Sequence, residues 1–210
     1  GTVGEDPLGT EEPQQTEQTE QTEPMHASSK TGDLLVERSG ALTAVQTEQS
    51  NRPLTQEEVL SAYDRAVTAY TWFDLTPLSS TGEPQTVDRR VYRKVERPGL
   101  SRMEELRAYL RTVFSEELTQ RLLETGGETP LYRDIDGELW VAVNGGRRRD
   151  PNKGAVELRV AQESDTAYAV NVTVELLEDD RSTVTGVECY AFPYEWEGDR
   201  WSFTAFQLVY

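Results

Sequence analysis

The sequence predicts an α+β fold: N-terminal helices packed on a curved, mainly antiparallel sheet, preceded by a disordered tail. Capping boxes at Thr55 and Ser101 each open an apolar stripe of helical period. After Pro130 the apolar period falls to two and stays there. Every aromatic residue lies at or after Tyr63, so the core belongs to that part of the chain. Residues 1–50 therefore read as an acidic low-complexity linker and 51–210 as one α+β domain.

In the first helix, Thr55 and Glu58 are spaced to satisfy each other's free backbone donors. Val59, Ala62, Ala66, Ala69 and Phe73 form one apolar stripe, and Leu60, Tyr63, Val67 and Tyr70 the adjoining one, giving a helix over about 55–73. Trp72 and Phe73 end that face and are expected to anchor the helix to the sheet. Residues 74–87, with Pro77, Gly82 and Pro84, read as a loop, and Val91 to Val95 as a short strand. Ser101 with Glu104 opens the second helix, whose apolar face is Leu106, Leu110, Val113 and Phe114. Ser115 restarts a third helix carrying Leu118, Leu122 and Leu123, which Gly126-Gly127 closes.

The strands follow. Leu131 to Ile135, the turn Asp136-Gly137 and Glu138 to Val143 carry a hairpin signature. Residues 144–154 form a loop, followed by strands over 155–164, 167–177 and 184–194 and a C-terminal strand over 201–210. Short turns between consecutive strands favour antiparallel pairing, and strand content should exceed helix content.

The tail is chemically distinct. Residues 1–50 hold ten acidic and two basic residues, and Thr10 to Pro24 repeats the triplet Gln-Thr-Glu three times without an apolar side chain. Such a segment buries too little apolar surface to offset about 1–2 kcal/mol of backbone ordering per residue, so residues 1–31 read as an extended, self-repelling linker. Leu34 to Val36 and Ala41 to Val45 are short apolar runs that either dock on the domain or continue the linker. The longest apolar stretches span only a few residues, so no signal peptide or transmembrane run is expected within the sequence. A Thr/Gln/Glu/Pro tail ahead of a domain is typical of exported proteins. An extracytoplasmic location, secreted or lipid-anchored with the signal removed, is the expectation.

Net charge of −17 and a mean hydropathy of −0.66 argue against partners that need clustered positive charge, such as nucleic acid or an anionic membrane. The one cysteine, Cys189, excludes a disulfide framework and a Cys-rich zinc site, and the one histidine, His26, lies in the tail. The one run of three cations is Arg147-Arg148-Arg149, which with Lys153 forms a basic patch after Gly145-Gly146. A Gly-rich loop of cations can hold a phosphate or a partner's carboxylates; the alternative is a solvated loop between strands. The spacing fits no P-loop. The pairs Asp134/Asp136 and Asp179/Asp180 sit in turns, where Asp side chains hydrogen-bond nearby backbone, and neither has calcium-loop spacing. Cys189 reads as a half-buried strand thiol, and the glycosylation-like triplet Asn171-Val172-Thr173 as chance within a strand. No catalytic, metal or cofactor-binding residue is assigned.

Ala69-Tyr70-Thr71-Trp72-Phe73, Val91 to Val95, Ser101 to Leu110 with its Glu-Leu-Arg-Ala-Tyr-Leu core, Phe114 to Leu118, Tyr132 to Leu139 and the Gly-rich Asn144-Gly145-Gly146 occur in an order that resembles the IseA-type inhibitors of bacterial D,L-endopeptidases. The resemblance covers residues 55–210. It implies a non-enzymatic exported protein that binds a peptidoglycan-hydrolase catalytic domain and blocks it sterically, without cofactor. An inhibitor family has no catalytic residues to carry over. The segment Trp201 to Phe206 is also similar to the last strand of NTF2-like domains, which implies instead a small-ligand module with its ligand in the sheet's concavity. Arg147, Arg148, Arg149 and Trp140 are the candidates for partner contact.

Overall fold

A computed structural model describes residues 52–210. The tail and both apolar runs at 34–45 lie outside the described residues. Helix α1 spans Gln56–Thr71, and its capping box forms as expected. The Thr55 hydroxyl accepts the Glu58 N–H at 3.0 Å, and the Glu58 carboxylate accepts the Thr55 N–H at 2.9 Å. Arg52 forks onto the same carboxylate at 3.0 and 3.2 Å. The Tyr168 hydroxyl accepts from the Leu54 N–H (2.8 Å) and faces the Leu54 carbonyl at 3.1 Å, which fixes how the chain enters α1.

The segment read as a loop over 74–87 contains a strand, β1 (Ser80–Val87), paired with β2 (Arg90–Val95). Gly82 and Pro84 misled that reading because the pairing is irregular between Thr81 and Gln85, where an edge strand tolerates both residues. The turn joining the strands is Asp88-Arg89, with φ of 51° and 67°, so two non-glycine residues fill a left-handed hairpin turn that usually signals itself by Asn-Gly or Asp-Gly.

Helix α2 (Met103–Arg111) starts one residue later than the spacing implied. Its N-cap is Arg102, so the reciprocal carboxylate is Glu105 rather than Glu104, and it accepts the N–H groups of Ser101 (2.8 Å) and Arg102 (3.1 Å). Helix α3 (Glu116–Leu123) is capped by Ser115 as read. The bend between α2 and α3 is held from outside. Ser115 N–H donates to Phe203 O, Phe203 N–H donates to Val113 O, and buried Arg200 donates to the Arg111 and Phe114 carbonyls (2.6 and 3.2 Å) that α2 leaves unsatisfied.

The hairpin β3 (Tyr132–Ile135) and β4 (Glu138–Ala142) turns at Asp136-Gly137 as expected, with φ of 54° and 83°. Strands β5 (Lys153–Ser164), β6 (Ala167–Leu177) and β7 (Val184–Trp196) follow. The last strand, β8, is only Trp201–Phe203, not 201–210. The chain leaves the ladder at Thr204, and the remainder turns inward so that Phe206, Leu208 and Val209 are buried.

Among the described residues the fold is α+β, with more strand than helix, and every strand pairing is antiparallel. The strands divide between two four-stranded sheets, β1-β2-β4-β3 and β5-β6-β7-β8, rather than curving through one. Helix α1 packs across β5 and β6. Between α1 and the second sheet, Tyr63, Phe192, Phe203 and Phe206 form a ring cluster, with Phe206 centred 4.9 Å from Phe192, 5.3 Å from Phe203 and 5.5 Å from Tyr63. Trp72 and Phe73 are buried as expected. Trp72 lies 5.4 Å from Tyr109 on α2, and Phe73 packs edge-on to Tyr132 of β3 at 4.9 Å.

Candidate functional site

The C-terminal turn of α1 shapes a groove. Its last carbonyl, Thr71 O, accepts three N–H groups, from Asp74, Leu75 and Thr76 (3.2, 3.1 and 2.9 Å), so the chain curls tightly off the helix. The buried Tyr132 hydroxyl then fixes both sides of the curl, donating to Trp72 O (2.6 Å) and accepting the Leu78 N–H (2.8 Å). Burial raises the Tyr132 phenol far above its usual range, the Leu78 N–H opposing it, so the hydroxyl stays protonated as this bridge requires. Between the curl and the end of β2 lies a groove of about 400 Å³, open to solvent, whose lining includes Thr68, Trp72, Pro77, Leu78 and Arg97. The exposed Arg97 guanidinium stands 5.2 Å from the Trp72 ring and has no carboxylate partner among the described residues. Arg97 was not among the sequence candidates. The groove brings Arg97 to residues 67–72 and 76–79, 18 to 30 positions earlier in the chain, which no local pattern connects.

The arginine loop is solvent-exposed, as the second reading expected, but two of its three arginines also hold it to the body of the protein. Arg147 forks onto Asp74 with both distances 2.8 Å, donates to the backbone oxygen of Tyr210 at 2.7 Å, and its N–H donates to Asp74 O at 3.0 Å. The Asp74 hydrogen bond is the main cause that raises the Arg147 pKa. Arg149 stacks 3.7 Å above the Tyr210 ring. Gly146, at φ +94°, passes so close to Leu75 O that a Cβ would stand 2.4 Å from it, which explains the glycine here. Only Arg148 of the three points to no described partner. The loop therefore clasps the α1–β1 connection to the C-terminal segment. Arg147→Ser is expected to cost about 1 kcal/mol in urea unfolding, because a bidentate pair counts for more than a single exposed contact but this one is still partly wet. An unchanged midpoint would return the loop to the solvated reading.

Trp140 is also placed differently. It is 7% exposed, paired in register between Lys94 and Arg133, and its indole N–H has no hydrogen-bond partner among the described residues, so it is a core residue and not a surface contact. Lys153 bonds Glu188 at 2.6 Å, and the Tyr190 hydroxyl donates to the same carboxylate at 2.7 Å. Both acidic pairs serve turns. Asp134 accepts the Gly137 N–H, and Asp180 is held at a pKa of about 2 by the Thr183 hydroxyl and the N–H groups of Thr183 and Ser182. Cys189 is exposed, not half-buried, because it lies on the face of β7 away from α1, beside Thr173 at 3.9 Å. Asn171 lies within β6, as the reading of its triplet required.

No helix among the described residues is long and apolar enough to cross a membrane. No protein-family model matches the chain, and no curated protein matches it.

Proposed function

We propose that the protein is a non-enzymatic, exported inhibitor that binds the catalytic domain of a peptidoglycan D,L-endopeptidase and blocks it sterically. The observation that carries this reading is the open groove at the end of α1. It offers a solvent-facing channel with the Trp72 ring in its lining and, over that ring, a guanidinium with no carboxylate partner among the described residues. This suits a loop of a folded partner better than an enclosed small molecule, which needs a concave site that covers most of its surface. The concavity between α1 and the second sheet, where an NTF2-like module would seat a ligand, is filled by the rings of Tyr63, Phe192, Phe203 and Phe206. The acidic balance of the chain speeds encounter with a basic enzyme more than it sets final affinity.

The test adds the full chain to a purified D,L-endopeptidase and follows peptidoglycan solubilisation. Activity should titrate to near zero at a fixed molar ratio. Arg97→Ala should weaken inhibition by about thirtyfold, the effect of losing an interface anchor, and should lower stability by no more than about 1 kcal/mol. A chain that neither binds nor inhibits any such enzyme overturns the reading.

A further inference from the structure

Strand β5 is the long open edge of the second sheet: its twelve residues pair with β6 on one side, and among the described residues no strand pairs on the other. Exposed edges recruit other strands unless bulges, prolines or shortness blunt them. The other edges are blunted. β1 carries Pro84 within an irregularity, and β3 and β8 have four and three residues. β5 has no proline, and its pairing is regular from Val156 to Gln162, with irregularities only at its two ends. The face shared with Val170, Val172 and Val174 carries Val160, Leu158 and Val156, all incompletely covered, Val156 to 37% exposure. The opposite face carries Glu157 and Arg159, both exposed.

We infer that two copies of the chain associate by antiparallel pairing of β5 with β5, centred on Leu158. A two-fold axis that continues the sheet keeps each face on its own side, so only residues of like facing can oppose one another, and the centre must fall on a residue. Centring on Glu157 or Arg159 sets like charges against each other at the axis, and centring on Val160 sets Glu157 against Glu163 twice. Centring on Leu158 alone sets Glu157 against Arg159 of the second copy twice over. It also joins Val156 to Val160 and Leu158 to itself on the apolar face, and opposite charges facing across strands stabilise whereas like charges destabilise. Within its regularly paired stretch, Val156 to Gln162, the charge pattern of β5 is thus complementary to itself in one register.

Analytical ultracentrifugation of the full chain from micromolar to millimolar concentration tests this. A reversible dimer is expected. Glu157→Arg and Arg159→Glu should each weaken it about tenfold or more, since either change turns both attractive pairs repulsive. An equimolar mixture of the two variants should re-form a dimer containing one copy of each. A full chain that stays monomeric throughout overturns the proposal, whatever else covers the edge. So does a dimer that both reversals leave unmoved, or two weakened variants that fail to associate when mixed.

Discussion

Phe206→Ala is expected to lower the unfolding free energy by about 3–5 kcal/mol, the usual cost of truncating a buried aromatic ring. Phe206 lies outside every helix and strand, yet its ring centre is within 6 Å of those of Tyr63, Tyr70, Phe114, Phe192 and Phe203. These rings come from α1, the α2–α3 junction, β7 and β8, so the lost contacts belong to four parts of the fold at once. Against a total stability of about 5–15 kcal/mol, the variant should unfold at a much lower urea concentration with little change in slope. Phe206→Leu should recover part of the loss. A midpoint shift worth less than about 1 kcal/mol would mean that the C-terminal segment does not fill the space beneath α1.

Phe73→Ala is the second large loss expected, again about 3–5 kcal/mol, because the ring is 7% exposed and packs edge-on to Tyr132. Its meaning is clearest beside Tyr132→Phe. That change keeps the ring but strands the Trp72 carbonyl and Leu78 N–H in a buried place, at about 1–3 kcal/mol. The two residues touch, so their effects should depart from additivity by about 0.5–3 kcal/mol in a double-mutant cycle. Strict additivity would indicate that the curl after α1 is held by some other contact. Under the proposed function the Tyr132→Phe variant should also inhibit less well, since the same hydroxyl shapes the groove lined by Arg97.

Much of the fold is determined locally and was legible as such. Thr55 with Glu58, Ser115 before Glu-Glu-Leu, and Asp136-Gly137 between alternating strands each satisfy their own backbone within a few residues. Each forms as the spacing required. The errors have a common cause. Ser80–Val87 becomes a strand because β2 supplies its hydrogen bonds, although its own composition is that of a loop. Thr204 to Tyr210 alternates like a strand but leaves the ladder, and its buried Phe206 packs instead against Tyr63 and Tyr70 of α1, contacts distant in sequence. Trp140 could not be assigned a side from β4 alone, where four successive residues are buried and period-two reasoning loses its footing.

The functional features depended still more on tertiary structure. By itself, the sequence determined that the charge is acidic, that one cysteine and one tail histidine restrict the available chemistry, and that Arg147-Arg148-Arg149 is the one run of three consecutive cations. Only the folded chain decided that Arg147 and Arg149 meet Asp74 and Tyr210, 73 and 61 positions away, while Arg97 lies over Trp72 with no carboxylate partner among the described residues. The physical reason is that a charge's availability depends on what the fold brings within a few ångströms of it, and a Coulomb or hydrogen-bond partner distant in sequence leaves no local trace.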